Sequence, residues 1–212
     1  LVEMIAELQV GHNRIGGGDI HQESPSKVGL LGADFVIDDG KYQFKTVFEG
    51  DRWSPFLKAP LNVPGASAKA GDYLLAINGR ELSEQDNIHA LMDNTLGKQV
   101  VLTLADSADG DNSRTITVEP VANESQLRSW HWVEQNRQFV EKQSDGKIAY
   151  VYLPNTADGG FYFFNRMFFA QTDKPAVIID ERKNGNASHA AYLKQLFCLS
   201  FNTFCSINNH YG

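Results

Sequence analysis

Apolar positions at the start of the sequence repeat with a helical period. Four of them fall on one helical face: Leu1, Met4, Ile5 and Leu8. Gly11 follows at the position where helices commonly end in a left-handed residue, and a glycine-rich loop with His12 comes next. Because position 1 is Leu and already lies inside the helical pattern, we interpret the sequence as part of a longer polypeptide.

From residue 28 to about 120, the pattern is that of short strands. Residues 42–48 alternate between apolar and polar, and 73–77 form a compact apolar run before the tight-turn pair Asn78-Gly79. Two further strands are predicted over 99–105 and 114–121, joined by a loop of turn-forming residues. Between these pairs of strands, Ser83 is placed to cap a helix that ends before Gly97.

Beyond residue 121, strands and helices alternate. Asn123 is placed to cap a long helix that ends before Asp145. We then expect a strand over 147–153, a helix over 159–171, a strand over 175–180 and a helix over 187–196. This order is typical of an α/β domain. The sequence therefore predicts an α+β protein with domain boundaries near residues 28 and 121.

Composition and charge narrow the range of partners. The 19 basic and 26 acidic residues give a net charge of −7, and without a Lys/Arg cluster we expect no nucleic-acid partner. The longest apolar stretch, 159–170, is interrupted by Asn165 and Arg166 and is shorter than the ~20 residues of a membrane span. The histidines and cysteines show no metal-ligand spacing, so we expect no metal or cofactor.

The final segment, 195–212, has an unusual composition. It contains no Asp, Glu, Lys or Arg, and both cysteines lie within it. Its apolar residues follow neither a helical nor a strand period. We expect residues 28–120 to be a stable unit and residues 147–212 to be loosely packed.

Residues 60–82 resemble the core signature of PDZ domains. Gly71-Asp72 precedes the apolar run and Asn78-Gly79 follows it. Upstream, the Gly29-to-Phe35 segment resembles a variant of the PDZ loop that holds a peptide carboxylate. The resemblance implies a PDZ-like β-barrel or sandwich with capping helices. It also implies peptide binding by strand addition, with the amides of Leu30, Leu31 and Gly32 facing the ligand and the helix after Ser83 walling the groove. Because the loop departs from the simple GLGF form, a domain that only scaffolds or gates the peptide is an equal alternative.

The flanks extend the resemblance to tricorn-type serine peptidases, in which a PDZ domain is inserted between two catalytic pieces. The markers occur in the family's order: His12, Gly17-Gly18-Asp19, the PDZ core, Leu127-Arg128-Ser129-Trp130, Asn136-Arg137, residues 148–154 and residues 178–185. This implies a catalytic piece at 1–27, a PDZ domain at 28–120, and the incomplete start of a crotonase-like α/β peptidase domain at 121–212.

The same resemblance also implies a function. It implies a serine peptidase that degrades peptides and oligopeptides, with peptide or unfolded-protein substrates. It favours a homo-oligomer and a cytoplasmic location, although an export signal could precede Leu1.

Two positions match catalytic motifs of that family. His12 matches the general base, which takes the proton of the nucleophilic serine and passes it to the leaving amine; Gly11 stands where the family often has serine. Gly185 follows the predicted strand 175–180 and is the candidate for the oxyanion hole, but only this glycine of the family's glycine-rich turn is present. Read from its residues alone, Asn184-Gly185 is equally a strand-to-helix turn.

The nucleophile is not assigned. The last serines, Ser188, Ser200 and Ser206, lack the surroundings of the family's nucleophile, and no acidic partner is evident. We therefore expect the 212 residues alone to be inactive. Two alternatives stay open: a non-catalytic PDZ module that only binds peptides, and a carboxyl-terminal processing peptidase whose Ser-Lys pair needs no histidine base.

Overall fold

The computed structural model describes Glu7 and residues 27–51, 54, 57–155 and 158–182. His12, Gly185, the first and last predicted helices and segment 195–212 lie outside these residues. The described elements are β1 (Ala33–Asp38), β2 (Lys41–Val47), β3 (Asn62–Val63), β4 (Ala66–Ser67), β5 (Tyr73–Ile77), β6 (Arg80–Glu81), α1 (Ile88–Leu91), β7 (Val100–Ala105), β8 (Arg114–Val118), α2 (Ser125–Gln143), β9 (Ile148–Tyr152), α3 (Asp158–Phe169) and β10 (Ala176–Asp180).

The first unit is a six-stranded antiparallel sheet. Its order is β1-β2-β5-β7-β8, with β6 paired to β5, so β1 and β8 form its two edges. Its buried core includes the following large side chains: Leu31, Phe44, Leu61, Leu74, Leu82, Met92, Leu102 and Leu104. The inward-facing residues of β2, β5 and β7 thus form one apolar layer, as the sequence pattern predicts.

The Asn78-Gly79 turn joins β5 to β6 as predicted. Both residues have positive φ, 51° and 79°, the combination that the favoured two-residue hairpin turn requires. The side chain of Asn78 also accepts a hydrogen bond from the amide of Val101, at 2.9 Å. The turn is therefore attached to β7 as well as to its own hairpin.

The helix predicted from Ser83 is wrong in its start and its length. Helix α1 spans only Ile88–Leu91, and its N-cap is Asn87, whose side chain accepts from the amides of His89 and Ala90. Ser83 instead donates its amide and its hydroxyl to the carboxylate of Asp86. The local hydrogen bonds of Ser83 and Asp86 therefore form a turn at the place where the sequence predicts a helix.

The second unit is built around a parallel strand pair. β9 and β10 run in register from the Ile148–Ala176 pair to the Tyr152–Asp180 pair, and α2 and α3 pack against β9. Its core contains eight buried side chains: Val133, Tyr150, Val151, Tyr152, Leu153, Phe164, Met167 and Phe168. The expectation of loose packing is thus wrong for β9, which α2 and α3 cover, whereas Val177, Ile178 and Ile179 of β10 are half-buried.

A third apolar cluster joins the two units. Phe48, Leu57 and Ala59 from the first unit pack with Leu127 of α2. Nearby, Asp51 and Arg166 of α3 form an ion pair. Within the described residues, no helix has the length and apolar content that crossing a bilayer would require.

Candidate functional site

A groove runs between the edge strand β1 and the short helix α1. It has a volume of about 510 Å³. It is lined by Gly29, Leu30, Leu31, Ala33, Asp34, Phe35, Tyr42, Gln85, Asp86, Asn87, Ile88, His89, Met92, Glu124 and Arg128. In the described sheet, β1 pairs only with β2, so its other side borders the groove. An unpaired strand edge beside a helix is the geometry that accepts an added peptide strand.

Aromatic side chains line the strand side of the groove. The ring of Phe35 lies 5.2 Å from that of Phe44 and 6.0 Å from that of Tyr42, the latter edge to face. The Tyr42 hydroxyl donates a 2.7 Å hydrogen bond to the backbone carbonyl of Asp86, in the turn before α1. This bond connects the strand side of the groove to the turn before α1.

The turn at Asp86 is itself stabilised by hydrogen bonds. The Ser83 hydroxyl and then the Ser83 amide donate to the Asp86 carboxylate, and these bonds hold the pKa of that carboxyl below its ordinary value. The carboxylate therefore stays ionised at neutral pH, and the start of α1 keeps its position.

The loop before β1 presents its amides to neighbouring backbone and side-chain oxygens. Gly29 donates to the carbonyl of Met92, and Leu30 exchanges two hydrogen bonds with Val121 at 2.8 and 2.9 Å. Gly32 has φ +72° and donates its amide to Glu124 Oε2, at 3.0 Å. Glycine suits this position because the left-handed conformation is unfavourable for residues with a Cβ.

A network of charged side chains lines the loop end of the groove. Glu124 Oε1 accepts from Arg128 Nε at 2.9 Å and from Arg128 Nη2 at 2.5 Å. Arg128 Nη1 reaches Asp34 Oδ1 of β1, at 2.7 Å, and the guanidinium lies 4.7 Å from the centre of the Phe48 ring. The start of α2 is thereby fastened to the start of β1.

A second polar cluster lies at the carboxyl end of the parallel strands. The buried carboxylate of Asp180 accepts from the Tyr150 hydroxyl at 2.7 Å and from Arg182 Nη2 at 2.6 Å. The Arg182 guanidinium also lies 4.9 Å from the centre of the Trp132 ring. Burial alone would raise the pKa of Asp180, but the bonds from Arg182 and Tyr150 outweigh it and the pKa lies below its ordinary value. The cluster fixes the direction in which the chain leaves β10.

The structure brings one set of predicted site residues together. Leu30 and Leu31 are among the residues that line the groove, and Gly32 follows them. The amides of Leu30 and Gly32 donate to Val121 and Glu124, so both are already engaged within the chain, and the side chain of Leu31 is 4% exposed and belongs to the core. Their role in peptide binding stays a prediction. The roles of His12 and Gly185 stay predictions, since both residues lie outside the described part of the chain.

Sequence reasoning did not place Glu124 and Arg128 at the groove. The signal available was their spacing of four residues, which puts an acid and a base on one helical face. Across the residues that the structure describes, no group of three His, Cys, Asp or Glu side chains is arranged to hold a metal ion.

Comparisons with known proteins agree with this geometry. Residues 29–123 match the family model described as the tricorn protease PDZ domain. The chain is 31% identical over 184 residues to a tricorn protease homolog of Saccharolobus solfataricus, which covers 86% of this chain and 17% of the relative. It is 29% identical over 185 residues to tricorn protease homolog 1 of Streptomyces coelicolor, covering 87% and 17% respectively.

A solved structure extends the similarity to three dimensions. The crystal structure of the tricorn protease superposes with a TM-score of 0.80 and 25% identity, over 92% of this chain and 19% of that one. The chain thus spans about a fifth or less of the length of these relatives. The family match assigns a tricorn-type PDZ domain to residues 29–123, and the similarity to tricorn proteases continues through the second unit.

Proposed function

We propose that this chain supplies the peptide-engaging domain and the first part of the catalytic domain of a tricorn-like serine peptidase. The observation that carries the proposal is the groove, in which β1 faces α1 and one side of β1 is unpaired within the described sheet. A substrate segment adds to β1 as an antiparallel or parallel strand, held by main-chain hydrogen bonds, and its side chains contact the apolar walls.

In this proposal the catalytic roles fall on residues outside the described ranges. His12 is the general base that deprotonates a serine and then protonates the leaving amine. The amide of Gly185 donates to the oxyanion of the tetrahedral intermediate. The Asp180 cluster supports this assignment, because it fixes the chain only five residues before Gly185. The nucleophile is not assigned, and the 212 residues alone do not hydrolyse peptides.

The test of the groove uses Phe35, which lines it, and Phe139 of α2, which is 64% exposed and is not among the lining residues. A pool of fluorescein-labelled octapeptides with randomised sequence is titrated with the 212-residue chain. We expect wild type and Phe139→Ala to bind equally, and Phe35→Ala to bind about tenfold more weakly because a ring has been removed from the wall. Equal binding by all three proteins, each checked for folding by thermal melting, would contradict the proposal.

A further inference from the structure

The loop that is expected to receive a peptide carboxylate already holds a carboxylate of its own chain. Glu124 Oε2 accepts the Gly32 amide at 3.0 Å, over a separation of 92 residues. The Glu124 side chain is only 13% exposed. Its other oxygen, Oε1, is held by two nitrogens of Arg128. An anion in contact with a loop amide and a guanidinium has the environment that a peptide C-terminus would need.

A second loop amide is also engaged. The Leu30 amide donates to the Val121 carbonyl at 2.8 Å, and the Val121 amide returns a bond to Leu30 at 2.9 Å. Both acceptors come from the short stretch 121–124, which leads from the sheet into α2. The Leu30 and Gly32 amides at the loop are therefore engaged by the chain itself, whereas the side of β1 along the groove is not paired within the described sheet.

A free peptide C-terminus at this loop would place a further negative charge beside Glu124 and Asp34. Like charges in contact disfavour each other, and Arg128 is already shared between these two carboxylates. An uncharged peptide backbone that continues past the loop meets no such repulsion.

We propose that Glu124 is an internal substitute for a ligand carboxylate and therefore sets the specificity of the groove. The groove takes an extended internal segment of a polypeptide, or a blocked C-terminus, and has no preference for a free one. This inference rests on the proposed function, because it concerns the peptide that the groove binds. Removing Glu124 leaves Arg128 and the Gly32 amide available to an incoming carboxylate.

The experiment is an internal competition. An equimolar mixture of randomised octapeptides, half with a free carboxylate and half with an isotopically labelled C-terminal amide, is captured on the immobilised 212-residue chain and quantified by mass spectrometry. We expect an acid-to-amide ratio of one or less for wild type, because Glu124 and Asp34 repel a free carboxylate, and a ratio about tenfold higher for Glu124→Ala. The matched control is Glu134→Ala, which removes another acid of α2 that pairs with an arginine, Arg137, away from the groove. It should keep the wild-type ratio.

Two results overturn the inference while peptide binding stands. One is an acid-to-amide ratio of tenfold or more for wild type. This result does not depend on whether any variant folds. The other is an equal ratio for wild type and a folded Glu124→Ala. Capture of neither peptide form by any of the three proteins is a different result, because it overturns the proposed peptide binding itself and the inference with it.

Discussion

The hydroxyl of Tyr150 on β9 donates a 2.7 Å hydrogen bond to Asp180 Oδ2 at the end of β10. The two residues are 2% and 6% exposed, so the bond is shielded from water. The strand register pairs Asp180 with Tyr152, so Tyr150 lies two residues along and on the same face of the sheet. This contact fixes the carboxyl end of the parallel pair, where ligand sites of α/β sheets lie.

Replacing Asp180 should therefore destabilise the second unit. Asp180→Asn removes the charge that holds Arg182 and weakens the bond from Tyr150, and we expect a loss of roughly 2 kcal/mol in the free energy of unfolding. The control is Asp145→Asn, at a turn after α2 with φ +50°, which asparagine also adopts readily. Urea unfolding followed by tryptophan fluorescence measures both. An equal loss in the free energy of unfolding for the two variants would show that the buried Tyr150–Asp180 hydrogen bond adds no stability.

Tyr150 should also make stability depend on alkaline pH. Burial first, and then the hydrogen bond to Asp180, raises the pKa of its hydroxyl above the ordinary value of 10.0. A raised native pKa means that its contribution is complete below about pH 10 and is lost as the pH rises towards the raised value. The urea midpoint of wild type should therefore fall more steeply than that of Tyr150→Phe as the pH rises from about 10 to about 12. Parallel curves for the two proteins would contradict this assignment.

In the first unit, the buried carboxylate of Asp72 depends on Arg114. Asp72 has 0% side-chain exposure and pairs with Arg114, which is 36% exposed. Arg114→Met leaves a buried charge without its cation, and we expect a loss of about 3 kcal/mol in stability. Arg80→Met removes a 67% exposed arginine from a 3.4 Å pair with Asp86 and should cost less than about 1 kcal/mol. Thermal melting of the two variants compares them, and a ranking in the opposite order would refute the argument.

The proposed base can be tested in a longer polypeptide that contains this sequence and hydrolyses peptides. His12→Ala should lower kcat by about 10⁴-fold or more, because a serine nucleophile loses its proton acceptor. His131→Ala, on α2 and not among the residues that line the groove, serves as the histidine control and should leave kcat within about threefold. Activity of His12→Ala near that of wild type would favour a Ser-Lys mechanism or a non-catalytic peptide-binding module.

Local sequence features predicted most of the strands. The alternation in 42–48, the apolar run at 73–77 and the Asn78-Gly79 turn all correspond to observed elements, because pattern and turn chemistry agree there. The wrong prediction of a helix start at Ser83 also has a local cause. Asp86 competes for the donors of Ser83, and Asn87 then caps α1 four residues later than expected.

The charged end of the groove could not be predicted in this way. The Gly32–Glu124 bond joins residues 92 positions apart, and Arg128 reaches Asp34 across 94. Such contacts depend on how α2 docks on the sheet, where Leu127 packs with Phe48. The hydrophobic periodicity of a single segment does not predict this docking. The same limit explains why the sequence pattern indicates only a strand end at Asp180 and not its buried bond with Tyr150.

The proposed addition of a peptide to β1 is tested directly by hydrogen–deuterium exchange. The 212-residue chain is compared with and without a saturating octapeptide pool, and exchange is followed in β1 and in β8, the opposite edge of the same sheet. We expect protection to rise in residues 33–38 and to stay unchanged in residues 114–118, because only β1 borders the groove. Protection confined to β8, or no change at either edge while the peptides are bound, would contradict the account.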